Sequence, residues 1–214
     1  MSNLRFSKTH TQLFIEKFLN DNDLRGFSQT ISSAYSAVNN LYKTTPALGA
    51  FLVGSDIRPH LIRITTEHLL QRFADVNDGF THEIRKNVAK NCNHLRLYKN
   101  GLAITSHYMG AKCERPKARK ALHKAHLSQR NMELFESENN ELNLFQNIGY
   151  AEIMHGGIVK PENILINIPT RDQLDIIGSI SLVVQDVNKT LVEQIADEPP
   201  FTIKEVIEEF KNGS

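Results

Sequence analysis

Apolar residues at helical spacing open the chain. Leu13, Phe14 and Phe18 predict a first helix over 11–20, stopped by the polar cluster Asn20-Asp21-Asn22-Asp23. Phe27, Ile31, Ala34, Tyr35, Val38 and Leu41 mark one face of a second helix, with Pro46 just beyond its end. The short connection predicts an antiparallel helical pair within 1–45. The compact apolar run 47–53, closed by Gly54, reads as a buried strand. Pro59 suits the first position of a helix over 61–76, with Ile62, Leu69, Phe73 and Val76 on its buried side. The β-branched Ile62 and Ile64 leave a strand at 60–65, before a shorter helix, as the alternative. Phe80, Ile84 and Val88 predict another helix over 80–90.

The pattern then changes period. Segments 94–99 and 102–109 flank Asn100-Gly101, a dipeptide that tolerates the positive φ values of a type I′ turn and so predicts a hairpin. A two-residue loop fixes the register. Lys99 then faces Leu102, Leu97 meets Ile104 and Leu95 meets Ser106 on the core side. Tyr98 meets Ala103, Arg96 meets Thr105, and His94 meets His107 on the other. Pro116 opens a long basic helix to about residue 138, with Ala118, Leu122, Ala125, Met132 and Phe135 as its apolar stripe. Segments 147–155 and 162–168 read as strands, and 172–184 as a short helix followed by a strand. Thr202 and Glu205 form a capping box for a C-terminal helix with a frayed tail over 202–214. Helices and hairpins alternate without a βαβ rhythm. The expectation is one α+β domain over 1–214, a mixed and mostly antiparallel sheet around the Asn-Gly hairpin, packed by helices.

Composition narrows the class. At 214 residues, 40% hydrophobic and 23% charged, the chain is too apolar to be disordered. Two cysteines make no disulfide framework and point to a reducing compartment. The longest apolar stretch, 176–184, is far below the roughly 20 residues of a membrane span. The expectation is a soluble, cytoplasmic protein with no membrane contact.

Charge changes the picture more. The formal net charge of +1 is distributed unevenly. Residues 1–83 are balanced. Residues 84–130 hold 12 basic residues against one acidic, Glu114, whereas 131–214 hold 5 basic against 15 acidic. A basic block of this density attracts phosphate backbones. Lys99, Lys112, Arg115, Lys117, Arg119, Lys120, Lys124 and Arg130 are its candidate contacts with DNA or RNA. The competing use is electrostatic. The block pairs with the acidic segment of its own chain or of a second copy, giving a non-enzymatic interaction module or homo-oligomer.

Candidate chemistry follows the hairpin. His94 and His107, with Arg96, supply an acid, a base and a cation, the groups a metal-independent nuclease needs. The bland reading is a half-exposed polar sheet face with two ordinary histidines. His123 and His126, three apart on a helix, are half a zinc site, with no further ligand at a telling spacing, so no metal or cofactor is expected. Lys160-Pro161-Glu162-Asn163 matches part of a kinase catalytic loop, but the Asp after His155 is missing, and no Gly-rich loop or Asp-Phe-Gly accompanies it.

Overall fold

The computed structural model describes residues 8–50, 52–86, 92–110, 126–131, 148–173 and 175–182. It is an α+β fold: two long helices pack one face of an open, six-stranded, mostly antiparallel sheet. The helices are α1 (Lys8–Glu16), α2 (Asp21–Thr44), α3 (Pro46–Ala50) and α4 (Leu52–Val76). The strands are β1 (Phe80–Lys86), β2 (Asn93–Lys99), β3 (Leu102–Tyr108), β4 (Gly149–Gly156), β5 (Asn163–Pro169) and β6 (Ile176–Leu182). They lie side by side in chain order, and β3 with β4 is the parallel pair.

The polar cluster after α1 begins the next helix. Asn20 is the N-cap of α2: its side-chain oxygen accepts from Asp23 N at 3.0 Å, and the Asp23 carboxylate accepts from Asn20 N at 2.9 Å. Two otherwise unsatisfied N–H groups are met reciprocally. The buried face of α2 carries Phe27, Ile31, Ala34, Tyr35 and Val38, as its spacing predicts. Its packing partner is α4, while α1 lies against β6, so the expected antiparallel pairing of the first two helices does not form. Phe27, Phe73 and Phe80 meet at centroid distances of 5.3 to 5.7 Å where α2, α4 and β1 converge. Gly26 permits that approach, because a Cβ there would stand 2.3 Å from the Phe73 ring.

Three expected elements change type. Of segment 47–53, residues 47–50 belong to α3 and 52–53 to the start of α4 rather than to a strand, and Pro59 lies inside α4 rather than at its first position. A short apolar run has no period of its own, so its neighbours decide. Phe80 and Ile84 belong to β1. Residues four apart share one face of a strand as well as of a helix, so their spacing fits both, and pairing with β2 selects the strand. At 171–173 a turn stands where segment 172–184 is expected to begin as a short helix. There the Thr170 hydroxyl accepts from Asp175 N at 3.0 Å, and β6 follows at once.

The Asn-Gly hairpin forms with the expected turn. Asn100 and Gly101 have φ of 51° and 91°, and the Asn100 side chain donates to Phe18 O at 2.9 Å. The core lies between the helices and one sheet face, where Leu97, Leu102, Ile104, Ala151, Ile153, Ile164, Ile166 and Ile168 meet Phe14, Ile15, Ile31 and Ile62. No described helix is long and apolar enough to cross a membrane. Most of the predicted basic helix, and the expected 202–214 helix, lie outside the described residues.

Candidate functional site

Strand alternation sends every second side chain to the sheet face away from the helices. There Glu83, His94, Arg96, Tyr98, Thr105, His107, Tyr150, Glu152 and Asn167 replace the aliphatic residues of the other face. Most are poorly exposed: Arg96 retains 9% of its surface, Thr105 4%, Glu152 8% and Asn167 2%, and Tyr150 is fully buried. Burying such groups is costly unless they are hydrogen-bonded, and these are organised into two networks.

One network is centred on Glu83. Arg96 Nη1 lies 3.3 Å from Glu83 Oε1, Arg85 Nε lies 2.9 Å from Oε2, and the Tyr98 hydroxyl donates to Oε1. Burial alone would raise the Glu83 carboxyl. Hydrogen bonds from Tyr98 and Arg85, with the charges of Arg85 and Arg96, outweigh it and hold the group below its ordinary range. Burial first, then the Glu83 hydrogen bond, pushes the Tyr98 hydroxyl up.

The other network spans the parallel β3–β4 pair, where Ala103, Thr105 and His107 run beside Tyr150, Glu152 and Met154. Thr105 Oγ1 is 2.8 Å from His107 Nε2 and 2.9 Å from the Tyr150 hydroxyl, which donates to Glu152 Oε1 at 3.0 Å. A hydroxyl carries a single proton. With that of Tyr150 committed to Glu152, Thr105 donates to Tyr150 and His107 Nε2–H donates to Thr105. The chain therefore assigns a proton to His107 Nε2. Burial, with the Glu152 charge next, pushes the Tyr150 hydroxyl well above its usual range, so it stays a donor. Glu152 Oε1 is also 4.0 Å from His107 Nε2, an ion-pair distance once the ring is protonated.

The end of the face near the hairpin turn is closed by residues 126–131. Leu127 packs with Ala103, Tyr150 and Tyr98. The Asn131 side chain donates to Tyr150 O at 3.0 Å and Pro169 O at 2.9 Å, and accepts from Tyr150 N at 2.8 Å. Pro169 has no N–H with which to continue the β4–β5 ladder, and the asparagine side chain takes its place.

The other end opens. All seven rows of β1–β2 are paired, down to Lys86↔Asn93, and all seven of β3–β4. The β2–β3 ladder has only four rows, from Lys99↔Leu102 to Arg96↔Thr105. The expected rows Leu95–Ser106 and His94–His107 lie beyond it. His94 instead pairs with Arg85 across β1–β2. The reason comes from α4. Glu67 accepts from Leu95 N at 3.3 Å, Arg63 donates to Asn93 O at 3.4 Å, and the two side chains pair with each other at 3.1 Å. Backbone groups of β2 beyond the last paired row are thus satisfied from the helix layer.

His94 and Arg96 on β2 and His107 on β3 thus share one face, both histidines lying beyond the last paired row. Lys99 does not join them: its Nζ is 2.8 Å from Asp23 Oδ1 and 4.4 Å from the Phe80 ring centroid, and only 12% of its side chain is exposed. This lysine ties the hairpin to α2. Arg130 stands over the Tyr98 ring at 5.7 Å, with Nη1 3.5 Å from Gly101 O. Lys112, Arg115, Lys117, Arg119, Lys120 and Lys124 lie outside the described residues. Sequence reasoning missed Glu83, Thr105, Tyr150 and Glu152 as network members. The alternation Tyr150-x-Glu152 was visible, but not its placement beside β3. Among the described residues no three His, Cys, Asp or Glu side chains gather in a metal-ligating group. Comparison with protein-family models, with curated proteins and with solved structures finds no match, so the functional argument rests on the residues themselves.

Proposed function

We propose that the protein binds nucleic acid through the polar sheet face and the basic segment 84–130, to which β2 and β3 belong. The observation that carries this reading is the concentration of charge: 12 basic side chains against one acidic over 84–130, the stretch that supplies β2, β3 and the last three residues of β1. On the face itself Arg85, His94, Arg96, Tyr98 and His107 stand on three adjacent strands, offering guanidinium and imidazole groups for phosphates and a ring on which a base stacks. Arg85 is largely exposed and Arg130 lies at the margin of the face.

Fluorescence polarisation with labelled single-stranded RNA and DNA at two salt concentrations tests it. Affinity falls steeply with salt, because each neutralised phosphate releases condensed counterions. Replacing Lys117, Lys120 and Lys124 together by Glu abolishes binding, whereas Lys99→Met weakens the fold and leaves affinity unchanged in protein that remains folded. Undiminished binding by the triple variant overturns the proposal.

A further inference from the structure

The early end of the β2–β3 ladder has a chemical consequence. In an unbroken ladder His94 and His107 would be direct partners with Cβ atoms about 5 Å apart, leaving no space between the imidazoles. Here both follow the last paired row, Arg96↔Thr105, by two residues, on the same face of β2 and β3. Arg63 and Glu67 of α4 take up backbone groups of β2 beyond that row. A phosphodiester undergoing in-line displacement needs an acid and a base on opposite sides of phosphorus, which suits two imidazoles on neighbouring strands that are not direct cross-strand partners.

We propose that the face of β2 and β3 beyond their last paired row is an RNA-cleaving site in which His94 is the general base, His107 the general acid, and Arg96 the cation that steadies the phosphorane. The inference rests on the nucleic-acid-binding reading and adds a substrate class to it. The two histidines stand in opposite surroundings. His107 donates through Nε2 to Thr105 and has the Glu152 carboxylate at 4.0 Å as counter-charge to an imidazolium. His94 has Arg85, a cation, as its cross-strand partner. In the reaction His94 takes the proton of a ribose 2′-hydroxyl, and that oxygen attacks the adjacent phosphorus. The bond from phosphorus to the 5′-oxygen breaks, and His107, as the imidazolium, gives its Nδ1 proton to the departing oxygen while Nε2–H stays on Thr105. The products are a 2′,3′-cyclic phosphate and a 5′-hydroxyl. No metal, oxidant or other co-reactant is consumed, and solvent exchange resets the two protons. DNA lacks the 2′-hydroxyl, so it is bound but not cut.

The test uses the full chain, a labelled RNA, the matching DNA, and EDTA in the buffer. The expected result is cleavage of the RNA alone, ending in a 2′,3′-cyclic phosphate, with His94→Ala and His107→Ala each slower by 100-fold or more. An RNA carrying sulfur in place of the scissile 5′-oxygen separates the roles, since a thiolate leaves without protonation. It restores the rate of His107→Ala and not that of His94→Ala. His107→Gln, which keeps a donor to Thr105, replaces the alanine variant if that fails to fold. RNA bound with the expected salt dependence but left uncut overturns this inference alone. Cleavage undiminished in either variant, or sulfur rescue of both or neither, does the same. Absence of RNA binding overturns the binding reading and this inference with it.

Discussion

The two faces of the sheet are filled by opposite means. On one, aliphatic and aromatic side chains from α1, α2 and α4 close over Leu97, Ile104, Ile153 and Ile166, and the packing depends on shape and volume. On the other, Glu83, Arg96, Thr105, Tyr150 and Glu152 are held by directional bonds with individual partners. Apolar packing is non-directional and gains in proportion to area, so it suits a face whose task is to hold the fold. A buried polar network gains little net stability per bond, yet loses heavily when one partner is removed. Its presence over a whole sheet face, beside the most basic stretch of the chain, is what directs the functional reading there.

That contrast predicts different responses to mutation. The largest effect belongs to the apolar face. Phe27→Ala removes the ring shared by α2, α4 and β1 and costs about 3–5 kcal/mol in chemical denaturation. A loss below about 1 kcal/mol would mean that the three-ring cluster does not anchor the helices. Next comes the polar face, where Asn131→Ala strands Tyr150 N, Tyr150 O and Pro169 O at once. The expected cost is about 2–3 kcal/mol. Hydrogen exchange should show the loss concentrated at the hairpin end of β4, and a uniform loss across the sheet would contradict the local role.

The smallest effect tests the exception on the apolar face. His155 on β4 points among the helices, with Nδ1 3.1 Å from the Tyr35 hydroxyl and its ring against Tyr35 and Tyr108. Burial lowers its pKa to about 3, so the folded protein keeps the ring neutral. The unfolded chain takes up a proton there below about pH 6.5 and the folded chain does not. The contribution is therefore complete above about pH 6.5. It declines as pH falls toward 3, by at most about 1.4 kcal/mol per pH unit, or about 2 kcal/mol at pH 5. Urea midpoints between pH 7 and 5 should show this slope, and His155→Gln should flatten it. An unchanged slope in that variant would assign the acid sensitivity to other groups.

Legibility in the sequence followed the range of the interactions. The hairpin was readable because Asn100-Gly101 sets both turn and register within a few residues, and four rows formed as expected. The α2 face was readable because its apolar spacing is unambiguous over about four turns. The reading of 80–90 failed because a spacing of four satisfies helix and strand alike. The His94–His107 pairing failed for a different reason. Hairpin rules describe two strands alone, and the groups that end the ladder, Arg63 and Glu67, come from a helix some 30 residues earlier. Of the proposed site, Arg96, His94 and His107 were visible as candidates. Glu152 and Tyr150 were not, because they reach β3 through a parallel pairing separated from it by about 40 residues.

By itself, the sequence determined the class of the protein, the hairpin with its turn, the main buried face of α2, and the segregation of charge around 84–130. These depend on local backbone preference and on the period of apolar residues, which neighbours along the chain express without help. Only the tertiary structure decided which strands are adjacent, that Lys99 serves an internal ion pair, and that the β2–β3 ladder ends before its two histidines. Those outcomes depend on which distant groups compete for the same backbone hydrogen bonds and the same buried space. Among them, Arg63 and Glu67 take up backbone groups of β2 where the expected His94–His107 row would stand.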